Sequence, residues 1–445
     1  MEILKNKIFF FYTLCLIISR IIINFSEINI FGISYGFHLL DKNLLHHDLA
    51  QSLYFLHSQP IGWNLFIGIL TKVFNGNDLL LNHFIEIYHF FLTLLILKIS
   101  ILTSEEIFNN NKIKHFISLF VILNPSILFW EKIFSYQHTI CALIFVISYL
   151  IIKSFKTQNN KYEMLLYFYL FVLSLIWSAF QPVIILLIFI LFRFCKMKIT
   201  KKGFIYFFLI FCLSVLPFIK NKIIFNSFTI GSWTGHQLST TFLDWKETCD
   251  LPKPEQINSE EGKKNLKMYE KTYNRKFSHP SLVGETSRYN FVGIIYISQK
   301  CLKVTIERII NNPKEYLTGR GLAFLASHGK FAFDFMYPKP NGWNKYYKQL
   351  DELYSNPKYK LIRQAIIFTY MLIVYLFFFR LIFFSKENVE LKKSYLVIFM
   401  IYLYLLVVGH LAAGHEQARM LYSGVIIHVL FYINVIKKLF NEQKN

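Results

Sequence analysis

The apolar residues of this chain come in long runs of Ile, Leu and Phe separated by short polar segments, with no sustained alternation and no heptads. A helix needs about 20 apolar residues to cross a bilayer. Ten runs approach that length, at 8–25, 83–102, 115–130, 136–152, 163–178, 181–195, 203–220, 361–381, 394–413 and 420–437. The pattern predicts an all-α polytopic membrane protein with about ten transmembrane helices. The first run lacks a small-x-small cleavage site and continues through Arg20 and Ile23, so it reads as a retained span rather than a signal peptide. No internal repeat is evident, which counts mildly against an inverted-repeat transporter.

Composition agrees, with 54% hydrophobic residues and 17% charged. The net charge of +21 would suggest nucleic acid in a soluble protein, but in a membrane protein basic residues are read by location. With the N-terminus inside, the segments 1–7, 103–114, 153–162, 193–202, 380–393 and 437–445 hold 2, 2, 3, 5, 4 and 3 Lys plus Arg, 19 in all. The short outside segments 26–56, 76–82, 131–135, 179–180 and 414–419, which leave out the surface tract between them, hold three, Lys42, Lys132 and Arg419. This asymmetry predicts two cytoplasmic termini and no nucleic-acid partner. The Lys, Asn, Ile and Phe bias suggests an AT-rich genome and a bacterial inner membrane.

The tract from Ile61 to Phe74 is short for a span and would invert every later loop if it crossed, so it is expected as a juxtamembrane helix on the outer surface. Pro60 suits its first turn, and Trp63 suits the headgroup zone. Three regions follow: a transmembrane bundle over 1–220 that includes a first outside loop at 26–82, one large outside domain over 221–360, and C-terminal spans over 361–445. In the outside domain, 291–310 has near-helical apolar spacing at Ile294, Ile297, Cys301, Val304 and Ile309. The Lys-rich piece "KPEQINSEEGKKNLKMYEKTYNRK" reads as a solvated loop or exposed helix. Cys249 and Cys301 lie in this region and would pair only in an oxidising compartment.

In this topology the distinctive polar residues share one face. Asp41, Asp48, His57 and Gln59 lie in the first outside loop, and Glu131 lies at the outer end of the third run. "WSAFQP" forms the next outside turn, and "KNKIIFNSFTIGSWTGHQL", beginning at Lys220, opens the outside domain. "GHEQARM" places Glu416 and Arg419 three apart, on one side of a helical turn. Each residue has a plainer role available. Asp41 and Asp48 both precede helix-compatible segments and suit helix capping as well as catalysis. His57 and Gln59 suit shaping the helix entry, Glu131 suits capping, and Glu416 suits pairing with Arg419 at surface strength.

The order of these motifs resembles the polytopic C-type glycosyltransferases of the protein-mannosyltransferase and aminoarabinose-transferase superfamily, which use polyprenyl-phosphate sugars. Asp41 or Asp48 looks like that family's first-loop acid, and "HSQPIGWN" resembles its His/Lys-x-Pro-Pro-Leu-like motif, with Ile61 where a second proline is usual. Asn124-Pro125 with Glu131 resembles its Asn-Pro and following acid. "KNKIIFNSFTIGSWTGHQL", "RYNFVGIIYISQKCLKVTIERIINNPKEYL" and "GHEQARMLYS" are similar to later stretches of one bacterial branch. The resemblance implies sugar transfer from a lipid-phosphate donor to a lipid, glycan or protein acceptor at the outer face. Either Asp48 or Asp41 would act as general base, with Glu131 orienting the acceptor. Arg419 would hold the leaving phosphate, supported by Lys220 and His57, with Gln59 and Glu416 among the substrate-binding residues. No cofactor is expected; a divalent metal is compatible with these side chains, but no ligand spacing calls for one. A polysaccharide polymerase or ligase and a lipid-linked oligosaccharide transporter are the alternatives.

Overall fold

A computed structural model describes residues 7–24, 39–195, 200–229, 231–239, 242, 249, 260–283, 287, 290–328, 357–408 and 422–442. Among the described residues the secondary structure is helical throughout, with no strand. Each of the ten apolar runs falls on helix as far as it is described. These helices are α1 (Lys7–Asn24), α5 (Asp78–Ile107), α6 (Asn111–Leu123) with α7 (Pro125–Glu131), α8 (Gln137–Thr157), α9 (Asn160–Ile176), α10 (Pro182–Phe194), α11 (Lys201–Phe225), α16 (Pro357–Phe383), α17 (Val389–Val407) and α18 (Val425–Glu442). Of these α5, α8 and α11 are long and apolar enough to cross a membrane, and α6 with α7 adds a fourth if the bent pair is one span.

Polar residues between the apolar runs set the helix starts. Asn77, Asn110, Asn159 and Asn388 each accept a backbone N–H of the first turn of the helix that follows. Thr200 caps α11 in the same way. The run expected as one helix over 115–130 is two helices bent by 49°. Pro125 has no N–H and disfavours helical backbone at Asn124, whose side chain then accepts from Ser126 and Ile127.

Helix α8 lies between α5, α9 and α17 and is the most enclosed of the candidate spans. Helix α11 is the opposite case. Its Phe204, Ile205, Phe208, Leu209, Leu216 and Ile223 are exposed, an apolar face suited to hydrocarbon rather than water.

The juxtamembrane tract is a helix, α4 (Ile61–Val73), preceded by the short helices α2 (Lys42–His47) and α3 (Leu49–Tyr54). Trp63 departs from expectation. It is buried against Phe66, Phe134 and Tyr136 rather than held at a headgroup boundary, because α4 packs on α2 and α9 and turns this face inward. Gly62 permits that approach: a Cβ there would stand 2.6 Å from the Leu175 carbonyl oxygen of α9. Helix propensity alone would make Gly62→Ala stabilising by about 0.5–1 kcal/mol. Because the obstacle is backbone, the substitution is expected to destabilise by about 1–3 kcal/mol, read as a lower melting temperature in detergent.

Beyond α11 come α12 (Thr234–Ser239), α13 (Glu260–Tyr273), α14 (Gly293–Asn311) and α15 (Pro313–His328). Helix α14 coincides with the amphipathic stretch read at 291–310, and α13 with the Lys-rich piece. Cys249 and Cys301 are free thiols buried in one small cluster with Phe291, Ile294 and Ile297.

Candidate functional site

The end of the bundle where α9 finishes, α10 begins and α11 runs out carries a small cleft of about 30 Å³, open on one side. Ser58, Gln59 and Pro60 form one wall, and Ile176 and Ser178 of the "WSAFQP" turn another. Tyr136, between α7 and α8, adds a ring, and Gly231, Trp233, Thr234 and Gln237 close the far side. Three of the polar stretches singled out in the sequence thus meet at one opening.

The stretch behind Ser58 is clamped from three directions. Asn290 accepts the N–H groups of His57 at 2.9 Å and Ser58 at 3.2 Å, and donates to the carbonyls of Phe55 and Ser281. Ser232 donates its N–H to the His57 carbonyl, and its hydroxyl meets His57 Nδ1 at 2.9 Å. Lys220, near the end of α11, donates from Nζ to the Leu56 carbonyl at 2.5 Å. His57 itself is 1% exposed and lies edge-on to Phe225, and its Nε2 is buried without a partner among the described residues.

Burial drives the His57 pKa down to about 3, and the nearby Lys220 charge adds to the effect. The imidazole is therefore neutral at physiological pH, able to give or accept a hydrogen bond but bearing no charge. A depressed histidine pKa weakens folding on the acid side: its contribution is complete above the ordinary value of 6.5 and is lost as pH falls toward about 3.

The two first-loop acids separate here. Asp41 caps α2, accepting the Asn43 N–H at 2.9 Å. Asp48 makes no side-chain cap to α3; its Oδ2 instead meets His279 Nε2 at 2.9 Å. His279 Nδ1 contacts the Ser281 hydroxyl at 2.6 Å, and the Ser281 carbonyl accepts from Asn290. A continuous polar chain thus runs from Asp48 through His279, Ser281 and Asn290 to His57 and the cleft wall. The Asp48 side chain is 40% exposed, and Asp41 is likewise only partly buried, so the two acids differ in their bonding partners rather than in solvent access.

Glu131 is elsewhere. It is 2% exposed and bidentate to Arg20, with Nε to Oε1 at 2.9 Å and Nη2 to Oε2 at 2.8 Å. Thr93 donates to Oε2 at 2.7 Å, and His138 joins Thr93 to the Tyr422 hydroxyl. With both oxygens occupied and no water access, Glu131 ties α1, α5 and α7 together, which does not match the expected acid that orients an acceptor. Glu416 and Arg419 lie outside the described residues. Tyr422, three positions after Arg419, stacks on Trp130 and bonds His138.

Sequence reading missed Arg20, Ser232, His279 and Asn290. A lone arginine in an apolar run is a signal in its own right; the other three are ordinary polar residues in polar stretches and carry none. Among the described residues no three His, Cys, Asp or Glu side chains converge as metal ligands. The cleft is lined by the hydroxyls of Ser58, Ser178 and Thr234, the amides of Gln59 and Gln237 and the rings of Tyr136 and Trp233, with no charged side chain in the lining. Comparison with protein-family models and with curated proteins returns no match for the chain.

Proposed function

We propose that the chain is a C-type glycosyltransferase of the protein-mannosyltransferase and aminoarabinose-transferase superfamily, moving a sugar from a polyprenyl-phosphate donor to a hydroxyl-bearing acceptor at the outer face of a bacterial inner membrane. In this reading ten spans carry both termini in the cytoplasm and the cleft opens outward. One observation carries it most: "HSQP", "WSAFQP" and "GSWTGHQ", far apart in sequence, line a single cleft that is joined by hydrogen bonds to Asp48. Asp48 takes the acceptor proton while the acceptor oxygen bonds the anomeric carbon and the sugar–phosphate bond breaks. Lys220, with Arg419, balances the charge on the departing polyprenyl phosphate, and His57 and Gln59 hold the sugar or phosphate by hydrogen bonds.

The test is release of free polyprenyl phosphate from a panel of radiolabelled polyprenyl-phosphate sugars by the full chain in nanodiscs, with membrane extract as acceptor source. Donor consumption is expected for one sugar; none across the panel removes the reading. Cysteine labelling should find 260–273 outside and 385–393 inside, and the reverse would sink the topology. His57→Ala should lower donor turnover by the same factor from about pH 6 to 8, since the imidazole it removes is neutral throughout. A loss confined to the acid arm would mean that a charged histidine acts there.

A second reading, transport of a lipid-linked oligosaccharide, is favoured by the Arg20–Glu131 pair with His89 and His138 buried among apolar helices, since ionisable groups inside a bundle commonly mark a transport path. Movement of a fluorescent lipid-linked oligosaccharide across proteoliposomes, without donor cleavage, would favour it over transfer.

A further inference from the structure

Several lysines of the helical bundle are ion-paired. Lys42 pairs with Asp78, Lys114 with Glu105, Lys132 with Glu86, Lys156 with Glu106 and Lys437 with Glu387. The groove between α13 and α14 is distinguished by gathering several lysines, unpaired among the described residues, in one place. Lys263, Lys264 and Lys267 line it from α13 and Lys300 from α14, and none of the four has an ion-pair partner among the described residues. One carboxylate, Glu260, stands at its end, so the lining carries four positive charges against one negative. The sequence reads this helix as a solvated face. Lys263, Lys264 and Lys267 are exposed accordingly, while the other side of the helix is anchored, with Tyr269 fully buried and Leu266 packed toward Ile294 and Ile297.

Lys263 and Lys267 are one helical turn apart, roughly 6 Å along the axis at 1.5 Å per residue. Half-buried Tyr296 and exposed Met268 line the groove between the lysines, giving an aromatic face with a thioether beside it. The groove holds about 990 Å³, at the upper end of the roughly 300–1,000 Å³ typical of ligand pockets. Like charges gathered in excess of their counter-ions repel one another and draw a polyanion from a distance. Lysine is suited to this as a point-charge ligand of carboxylate or phosphate with little demand on geometry. An aromatic face beside cations suits a sugar ring that carries an anionic group.

We infer that the α13–α14 groove binds an acidic oligosaccharide, a run of sugars bearing carboxylates or phosphates. That this saccharide is the acceptor rests on the transfer reading above; the binding itself stands on the lysines and Tyr296. Docked there, the chain would be held by its charged units while a hydroxyl further along reached the cleft.

The experiment measures binding of hexagalacturonate and of neutral maltohexaose to the full chain in nanodiscs of zwitterionic lipid. Binding of the acidic oligomer alone is expected, weakening steeply with salt. A Lys263→Gln, Lys267→Gln, Lys300→Gln variant should lose at least 10-fold in affinity with an unchanged melting temperature. Tyr296→Leu should weaken binding without altering the salt dependence. Absence of binding, equal binding of maltohexaose, or wild-type affinity in the triple variant would overturn the inference. So would full suppression of binding by phosphatidylglycerol in the nanodisc with no effect of free acidic sugar, because the groove would then serve lipid headgroups. Binding that holds in a chain with no donor turnover would leave the groove assigned and remove only the glycosyltransferase reading.

Discussion

Glu131→Ala is expected to destabilise the protein by about 3–5 kcal/mol, enough to abolish accumulation of folded chain in the membrane. The size follows from what is left behind. Arg20 is 5% exposed, and its guanidinium makes three bonds to the Glu131 carboxylate at 2.8–3.1 Å. Removing the carboxylate strands a full positive charge in the buried bundle, where among the described residues its remaining hydrogen bonds go to the Ile122 carbonyl and the Ser19 hydroxyl. A solvent-exposed pair would be worth at most about 1 kcal/mol. The same reasoning sets the control. Arg20→Met with Glu131→Leu removes both charges, and replacing a buried pair by apolar residues of similar volume is commonly neutral or stabilising. The double variant should therefore melt near wild type while each single variant fails. Thermal unfolding in detergent reads this cycle, and single variants as stable as the double would show that water reaches the pair. If the network serves only to lock α1, α5 and α7, the double variant should retain donor turnover; a stable but inactive double variant would return Glu131 to the chemistry.

Arg20 illustrates which parts of this molecule could be read from sequence. A lone arginine in an apolar run must meet a carboxylate or a carbonyl, so its importance was visible in advance. Its partner was not, since nothing local distinguishes Glu131 from a helix-end acid 111 residues away. The helices were legible because apolar run length and Asn, Thr and Pro boundaries act within a few residues. The Asn124–Pro125 break was equally legible in principle, as a residue before proline avoids helical backbone. Trp63 was misplaced because its aromatic chemistry fits a headgroup boundary, while its burial depends on Gly62 letting α4 approach α9, a tertiary fact. The cleft was partly legible. Its polar stretches were distinctive against an apolar background, but Asn290 and His279, which connect them to Asp48, are 233 and 231 residues from their partners.

Asp48→Asn should lower sugar transfer by at least about 100-fold, and up to about 10,000-fold, the range that a general base contributes. Asp41→Asn should instead leave turnover per folded molecule intact. The two acids are seven residues apart and chemically alike, so only their surroundings separate them. The Asp41 carboxylate accepts a first-turn N–H of α2, and losing a cap costs about 0.5–2 kcal/mol of stability. Asparagine is itself a good cap, so even that cost should be small. Asp48 makes no such bond; one oxygen meets His279, and the side chain keeps access to solvent from which an acceptor hydroxyl would arrive. His279 then acts as a positioning residue, held by Ser281 and fixing the rotamer of the carboxylate it touches. His279→Gln keeps a donor to Asp48 and should retain more turnover than His279→Ala, with KM for the donor unchanged in both, whereas a merely structural role would lower expression and leave turnover per folded molecule alone. Purified Asp48→Asn with wild-type turnover would remove the base from this mechanism. If Asp41→Asn were the inactive variant, the cap seen here would have to open during catalysis, and the acceptor would approach from the α2 side of the cleft.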